Sequence, residues 1–295
     1  MTLRLVHATD IHFYERPTFG QLSPKRILGG ANLYVRGRVT HFNRQVQAQL
    51  VDAMLAAKPD AVVITGDLTA EALPSEFAAA RATLAPLLEQ IPTLVQSGNH
   101  DVYTYGASRA RRIETLFAPW MHLGDGGLAR FARPGLYVVG LDPTRPHALA
   151  SGRVPEAQLA ALPDALAVAP DDAFVVLGLH YPILDRDGRI YDGLSHGLLN
   201  ARALIAVLTA APRKPDLIVH GHIHHGFTVP LTLGDVTVPI CNPGSGGYAD
   251  MPARRRSASF NVYVLDGPKL LSIERYKHGP DGFTLEPGGA YASGR

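Results

Sequence analysis

The sequence predicts a mixed α/β domain in which two sheets pack together with helices on the outside. Three observations carry this. Short apolar runs bounded by Gly, Pro or Asp recur along the chain, helical periodicity fills the gaps between them over the first two thirds, and four strand-like segments joined by tight turns close the last third. A simple alternating wound sheet lacks such a final run of strands, so a layered arrangement of two sheets is the better expectation.

Taken in order, the apolar runs at 3–8, 61–65, 93–96, 136–141, 173–179 and 217–220 read as buried strands. Helical patterns lie at 44–58, where Val46, Leu50 and Met54 recur four apart, and at 77–90, 156–167 and 198–209. After His224 come strand-like segments at 227–233, 236–241, 260–265 and 270–276, with Gly234-Asp235 and Asp266-Gly267 marking hairpins or tight turns. One large domain over 1–278 is expected, containing a basic insertion at 16–44, followed by a Gly-rich, loosely held tail over 279–295.

Composition narrows the function classes. Apolar residues make up 46% of the 295 and charged residues 18%, enough for a substantial core and contrary to intrinsic disorder. A formal charge of +2 does not supply the concentrated basic face of a nucleic-acid binder, and no nucleic-acid partner is expected. A single cysteine, Cys241, excludes an internal disulfide and a thiolate-rich metal cage, and reads as a small buried hydrophobe. No signal-like h-region opens the chain and no stretch approaches the roughly 20 apolar residues that span a bilayer, so the default expectation is a cytoplasmic protein.

Five polar fragments fall at or just after strand ends: Asp10-Ile11-His12, Gly66-Asp67, Gly98-Asn99-His100-Asp101, His180 and Gly221-His222-Ile223-His224. Loops beyond strand ends gather side chains from distant parts of a chain onto one rim, so these fragments can converge. Their carboxylate, imidazole and amide groups suit Mn, Fe or Zn. Two such ions roughly 3.5 to 4 Å apart need a bridging anion, which a carboxylate such as Asp67 can provide, with water between them activated for in-line attack on phosphorus.

These fragments together resemble the calcineurin-like metallophosphoesterase superfamily, whose pattern Asp-x-His, Gly-Asp, Gly-Asn-His-Asp/Glu, His, Gly-His-x-His is complete between residues 3 and 245. The resemblance implies a β-sandwich flanked by helices and two divalent or trivalent transition metal ions. One ion would be held by Asp10, His12, Asp67 and His224, the other by Asp67, Asn99, His180 and His222, with His100 contacting substrate or protonating the leaving oxygen. The turn Asn242-Pro243-Gly244-Ser245 also looks like this family. Purple acid phosphatases carry a metal-binding Tyr soon after Gly-Asp, whereas Leu68-Thr69 stands here, so the chain is more similar to bacterial enzymes related to class III cyclic-nucleotide phosphodiesterases.

The leading expectation is a phosphodiesterase acting on a small phosphate ester. Two alternatives stay open: hydrolysis of a phospholipid or a nucleotide-linked lipid pyrophosphate, and a non-catalytic scaffold with the same fold. The stretch 16–51 has no Asp or Glu but carries Arg16, Lys25, Arg26, Arg36, Arg38 and Arg44 among apolar residues. It reads as a basic surface loop, or as a lid that contacts anionic lipid at a membrane surface. His7, His220 and His225 read as supports for their ligand neighbours, and Tyr103, Tyr105 and Tyr181 as core. Asp101 is expected either to orient the His100 ring or to cap a helix. Arg254-Arg255-Arg256 reads as a solvated run, with clamping of substrate phosphate oxygens as the sharper alternative.

Overall fold

The computed structural model describes residues 2–22, 26, 41–146, 149–251 and 256–287. Its elements are β1 (Thr2–Ala8), α1 (Arg44–Ala56), β2 (Ala61–Ile64), α2 (Pro74–Gln90), β3 (Thr93–Val95), β4 (Ala129–Arg133), β5 (Leu136–Gly140), α3 (Glu156–Ala167), β6 (Phe174–Gly178), α4 (Ala201–Ala210), β7 (Leu217–Val219), β8 (Gly226–Leu233), β9 (Val236–Pro243), β10 (Ser259–Asp266), β11 (Lys269–Gly279) and β12 (Gly282–Leu285), with short helical turns between β3 and β4.

The strands form two six-stranded sheets, ordered β12-β11-β10-β1-β2-β3 and β4-β5-β6-β7-β9-β8. In the first, β1, β2 and β3 are parallel and β10, β11 and β12 antiparallel. In the second, β5, β6, β7 and β9 are parallel, with β4 and β8 antiparallel at the edges.

Period-two alternation sorts the strand side chains into layers. Leu5, Val63, Val138, Phe174, Val176, Val219, Cys241 and Tyr263 turn inward and form one cluster between the sheets. Their neighbours Val6, Val62, Ile64 and Val262 turn outward against Leu50 and Met54 of α1 and Phe77 and Leu84 of α2. Val139, Val175, Leu177 and Ile218 do the same against Leu159 and Leu162 of α3 and Leu204 and Leu208 of α4. Burial on both faces is why these strands read as continuous apolar runs. Each fully buried Leu or Phe is stabilising by about 1.5 to 3 kcal/mol, so the α/β/β/α sandwich follows directly from this pattern.

Three differences from the sequence reading have physical causes. Helix α2 starts at Pro74 rather than 77, because a proline at the first turn gives up an N–H that has no intrahelical partner. Edge strand β4 alternates buried and exposed positions over Ala-Arg-Phe and so lacks a continuous apolar run. The expectation of a loose tail from 279 fails for 282–285, which pair with β11 as β12, while 288–295 lie outside the described residues. The turn at Gly234-Asp235 is a two-residue hairpin as expected, closing Leu233 onto Val236 with Gly234 at φ 70°.

The basic insertion is only partly described, with Lys25, Arg36 and Arg38 outside the described residues. Arg26 is not a solvent-facing lid cation. It is 7% exposed and its guanidinium donates to the backbone carbonyls of Gln21 at 2.8 Å and Glu71 at 3.1 Å. Arg44 pairs with Glu15 and lies over the Phe13 ring. Arg26 therefore anchors the insertion to the loop that follows Asp67, and Arg44 ties its far end to the segment that follows His12. Among the described residues no helix is long and apolar enough to cross a membrane. Hydrogen bonds from a charged donor contribute about 1.5 to 3 kcal/mol, so Arg26→Ala should lower the urea-denaturation free energy by about that amount. An unchanged unfolding midpoint and slope would show that Arg26 anchors nothing.

Candidate metal centre

All five polar fragments meet at one end of the two sheets. Asp10 and His12 follow β1, Asp67 follows β2, Asn99 and His100 follow β3, His180 follows β6, and His222 and His224 follow β7. Cross-loop backbone bonds hold them together: Asp10 N–H donates to Gly66 O and His12 N–H to Asp67 O, both at 3.0 Å, while Gly221 N–H donates to His180 O.

The backbone here is held in an unusual state. Asp10, His12, Asp67, His222 and His224 all have φ between 53° and 74°, the left-handed region that costs a non-glycine residue on the order of 1 kcal/mol or more. Such a conformation turns each side chain sharply off its strand toward a common point. Two glycines make room for this convergence. A Cβ on Gly98 would lie 2.1 Å from Asp67 Oδ1, and one on Gly221 would lie 2.4 Å from Asp10 Oδ2.

The side chains form two groups. Asp10, His12, Asp67 and His224 present ligand atoms within 4.8 Å of one another, and so do Asp67, His180 and His222. Asn99 joins the second group, its Oδ1 lying 3.1 Å from His180 Nε2 and 2.9 Å from His222 Nδ1. Asp67 belongs to both. Its Oδ2 is 3.6 Å from His12 Nε2 and 3.4 Å from His180 Nε2, while Oδ1 accepts the His100 backbone N–H at 2.8 Å.

The hydrogen bonds outside the groups fix which ring nitrogens face inward. His12 Nδ1 donates to Thr69 O, His180 Nδ1 to Thr65 O at 2.8 Å, and His222 Nε2 to His196 O at 2.9 Å. In the neutral rings this leaves lone pairs on Nε2, Nε2 and Nδ1, all aimed at carboxylate or amide oxygens. His12 Nε2 and His224 Nε2 face each other at 3.1 Å. Asp10 Oδ2 accepts from His222 N–H and Thr9 Oγ1, but Oδ1 is buried without a hydrogen-bond partner and points at His224 Nε2, 3.1 Å away.

Such an inward-facing set of acceptors could hold two cations. Its nitrogen and oxygen composition fits a hard or borderline transition metal and lacks any thiolate. The electrostatics agree. Burial opposes ionisation of Asp67, but the His180 and His100 rings hold its carboxyl well below the usual range. Burial likewise opposes charge on His180, yet Asp67 and Asp10 raise it to about 9, so the pocket draws positive charge strongly. A metal cation bound there would displace that proton.

His100 stands beside the groups rather than in them. Its ring packs edge-on to His12 and stacks on Tyr103, and Nδ1 donates to Ala70 O at 2.5 Å. Asp101 does not orient that ring. Its carboxylate accepts the backbone N–H groups of Leu68, Thr69 and Gly98, tying the Gly-Asp loop to the Gly-Asn-His loop. Tyr181 is buried as expected, packed on His222 at 4.5 Å.

His7 and His220 lie behind the ligands, fully buried. Burial pushes His7 down to about 3 and His220 down to about 4, so both are neutral. His7 Nε2 meets Thr65 Oγ1 at 2.9 Å, beneath the carbonyl that orients His180. Asn242 bonds the His220 ring and Gly221 O, and Ser245 Oγ donates to Asp10 O, so the later turn does shape the site. The sequence reading missed the aromatic wall of Phe42 and Tyr248, which cover His12 and His224. It also missed the carbonyls of Thr65, Thr69, Ala70 and His196, which leave no side-chain signal.

Comparison with known proteins bears on the family and the fold. Residues 3–226 match the model of the calcineurin-like phosphoesterase family. Over 229 residues the chain is 30% identical to a protein of Rhodopseudomonas palustris named a probable cyclic nucleotide phosphodiesterase, covering 75% of this chain and 72% of that one. Among solved structures, a dimetal phosphatase from Danio rerio superposes with a TM-score of 0.56 at 14% identity, over 96% of this chain and 98% of that one. The purple acid phosphatase PPD1 of yellow lupin gives 0.62 at 12% identity, over 97% of this chain and 53% of that one. The chain belongs to the calcineurin-like phosphoesterase family.

Proposed function

We propose that this hydrolase is a phosphodiesterase that works with two transition metal ions, Mn, Fe or Zn, and takes a small phosphate diester such as a cyclic nucleotide as substrate. The observation that carries the reading is Asp67 Oδ2, placed 3.6 Å from His12 Nε2 and 3.4 Å from His180 Nε2 so that one carboxylate oxygen serves both groups. Diester specificity is supported by the name of the Rhodopseudomonas palustris relative.

When bound, the ions supply Lewis acidity toward the phosphoryl oxygens and make water acidic enough to attack phosphorus near neutral pH. The rest falls to the chain. Asp10, His12, Asp67 and His224 would hold one ion and Asp67, Asn99, His180 and His222 the other. The carbonyls of Thr69, Thr65 and His196 keep the ligating nitrogens turned inward. His100 is the group that meets the substrate. Its Nδ1–H is given to Ala70 O, so Nε2 becomes a donor on protonation and can pass that proton to the leaving oxygen. Burial lowers the His100 ring to about 4 in the chain alone, and a phosphate anion against it favours the protonated form.

Manganese-loaded protein should hydrolyse bis(p-nitrophenyl) phosphate and cyclic nucleotides faster than p-nitrophenyl phosphate; faster monoester hydrolysis would reject the diesterase reading. His100→Ala should keep both metals while turnover falls by about 10² to 10⁴. His222→Ala should lose metal, and Asp67→Ala should be the most damaging change because it leaves both groups a ligand short. Equal metal loss in His100→Ala and His222→Ala would show that His100 has been given the wrong role.

A further inference from the structure

Next to the last ligand, the structure gathers positive charge that the two-metal chemistry does not use. His225 follows His224 directly, and Arg256 Nη2 lies 2.9 Å from His225 Nε2. The Arg256 guanidinium also sits over the Tyr248 ring, 5.7 Å from its centroid, and the other aromatic neighbours of that ring are His41, Phe42 and His224. Arg256 is thus one aromatic ring away from a candidate metal ligand.

Arg256 is held there by its backbone. Met251 and Arg256 form an antiparallel bridge, with Met251 N–H donating to Arg256 O at 2.8 Å and the reverse bond at 3.3 Å. Of the three arginines singled out in the sequence, Arg254 and Arg255 lie outside the described residues. Arg256 is the one placed against the site.

The positive charges of Arg186 and Arg275 act on the same imidazole through space, after that of Arg256. Arg275 is balanced by Glu286 at 3.6 Å. Arg256 and Arg186 are not balanced: among the described residues, no carboxylate is within ion-pair distance of either. A guanidinium has no acceptor, so Arg256 must donate to His225 Nε2, and the proton of the neutral ring is then on Nδ1. The cluster therefore presents donors only, with uncompensated positive charge, on the half-buried His225 and Arg256 beside the metal groups and on the exposed Arg186. That is the chemistry of an anion site, and guanidinium geometry suits phosphate oxygens.

We propose that Arg256, with His225 and Arg186, forms a subsite for a second anionic group of the substrate, so that an organic phosphate bearing a further phosphoryl group is bound in preference to one bearing none. This rests on the phosphoesterase reading above and moves its substrate from a cyclic nucleotide, which has a single phosphoryl group, to an ester with a second one: the scissile phosphate lies at the metals, and the additional phosphoryl group reaches past Tyr248 to Arg256.

The test is calorimetric binding of inorganic tripolyphosphate and of orthophosphate to the manganese-loaded full chain, alongside elemental analysis of the same samples. The loss of a charge-assisted bond corresponds to about tenfold in affinity. Arg256→Gln should weaken tripolyphosphate binding by about that factor and orthophosphate binding much less, so the ratio of the two affinities falls. Arg130→Gln removes the same charge from exposed β4 at the far edge of the second sheet and should alter neither. An unchanged ratio in Arg256→Gln, or an equal loss in Arg130→Gln, overturns the subsite. Wild-type protein that retains no manganese overturns the two-metal reading instead, and a tripolyphosphate loss confined to Arg256→Gln would still support the subsite in that case.

Discussion

Two carboxylates, Asp10 and Asp67, are fully buried where the two sheets end, and keeping them ionised there is the constraint on which the surrounding structure depends. Burying an unpaired charge is expensive, and the expense must be met by positive charge and by donors arranged around it. Backbone N–H groups of His222 and His100 supply part of that, through Asp10 Oδ2 and Asp67 Oδ1. The remaining oxygens, Asp10 Oδ1 and Asp67 Oδ2, face imidazole nitrogens that the outer carbonyls have already oriented. Cations would complete this arrangement in a way that further side chains do not, because with neutral rings each inward-facing atom is an acceptor.

The fold is what makes so costly a cluster stable. Strands buried on both faces form a rigid double layer, and the ligands project from the ends of β1, β2, β3, β6 and β7 rather than from long loops. Five of those residues occupy left-handed backbone that their side chains do not favour. Asp101 stiffens the rim further by capping N–H groups of two ligand-bearing loops. Preorganisation of this kind places strain in the resting protein and leaves little reorganisation for the reaction itself.

Much of this was legible from residues alone, for reasons that differ by element. Central strands such as 61–65 and 173–179 showed because both faces are apolar, and the ligands showed because each follows such a run. Edge strand β4 did not, since one face is solvated and its Arg residues break the run. Phe42 and Tyr248 were invisible as site walls because nothing in sequence links residue 42 to residue 248, while the structure joins them by a bridge. Asp101 makes neither of the contacts expected for it, for a related reason. Its adjacency to His100 suggested a bond to the ring, but the backbone turns the carboxylate toward the preceding loop, and a carbonyl with no sequence signal orients the ring instead.

The sharing of Asp67 between two cations is the central claim, and anomalous diffraction from manganese-soaked crystals tests it most directly. The account predicts two peaks per chain roughly 3.5 to 4 Å apart, the usual spacing of a bridged pair, on either side of Asp67 Oδ2. A single peak, or two peaks that do not share Asp67, would contradict it.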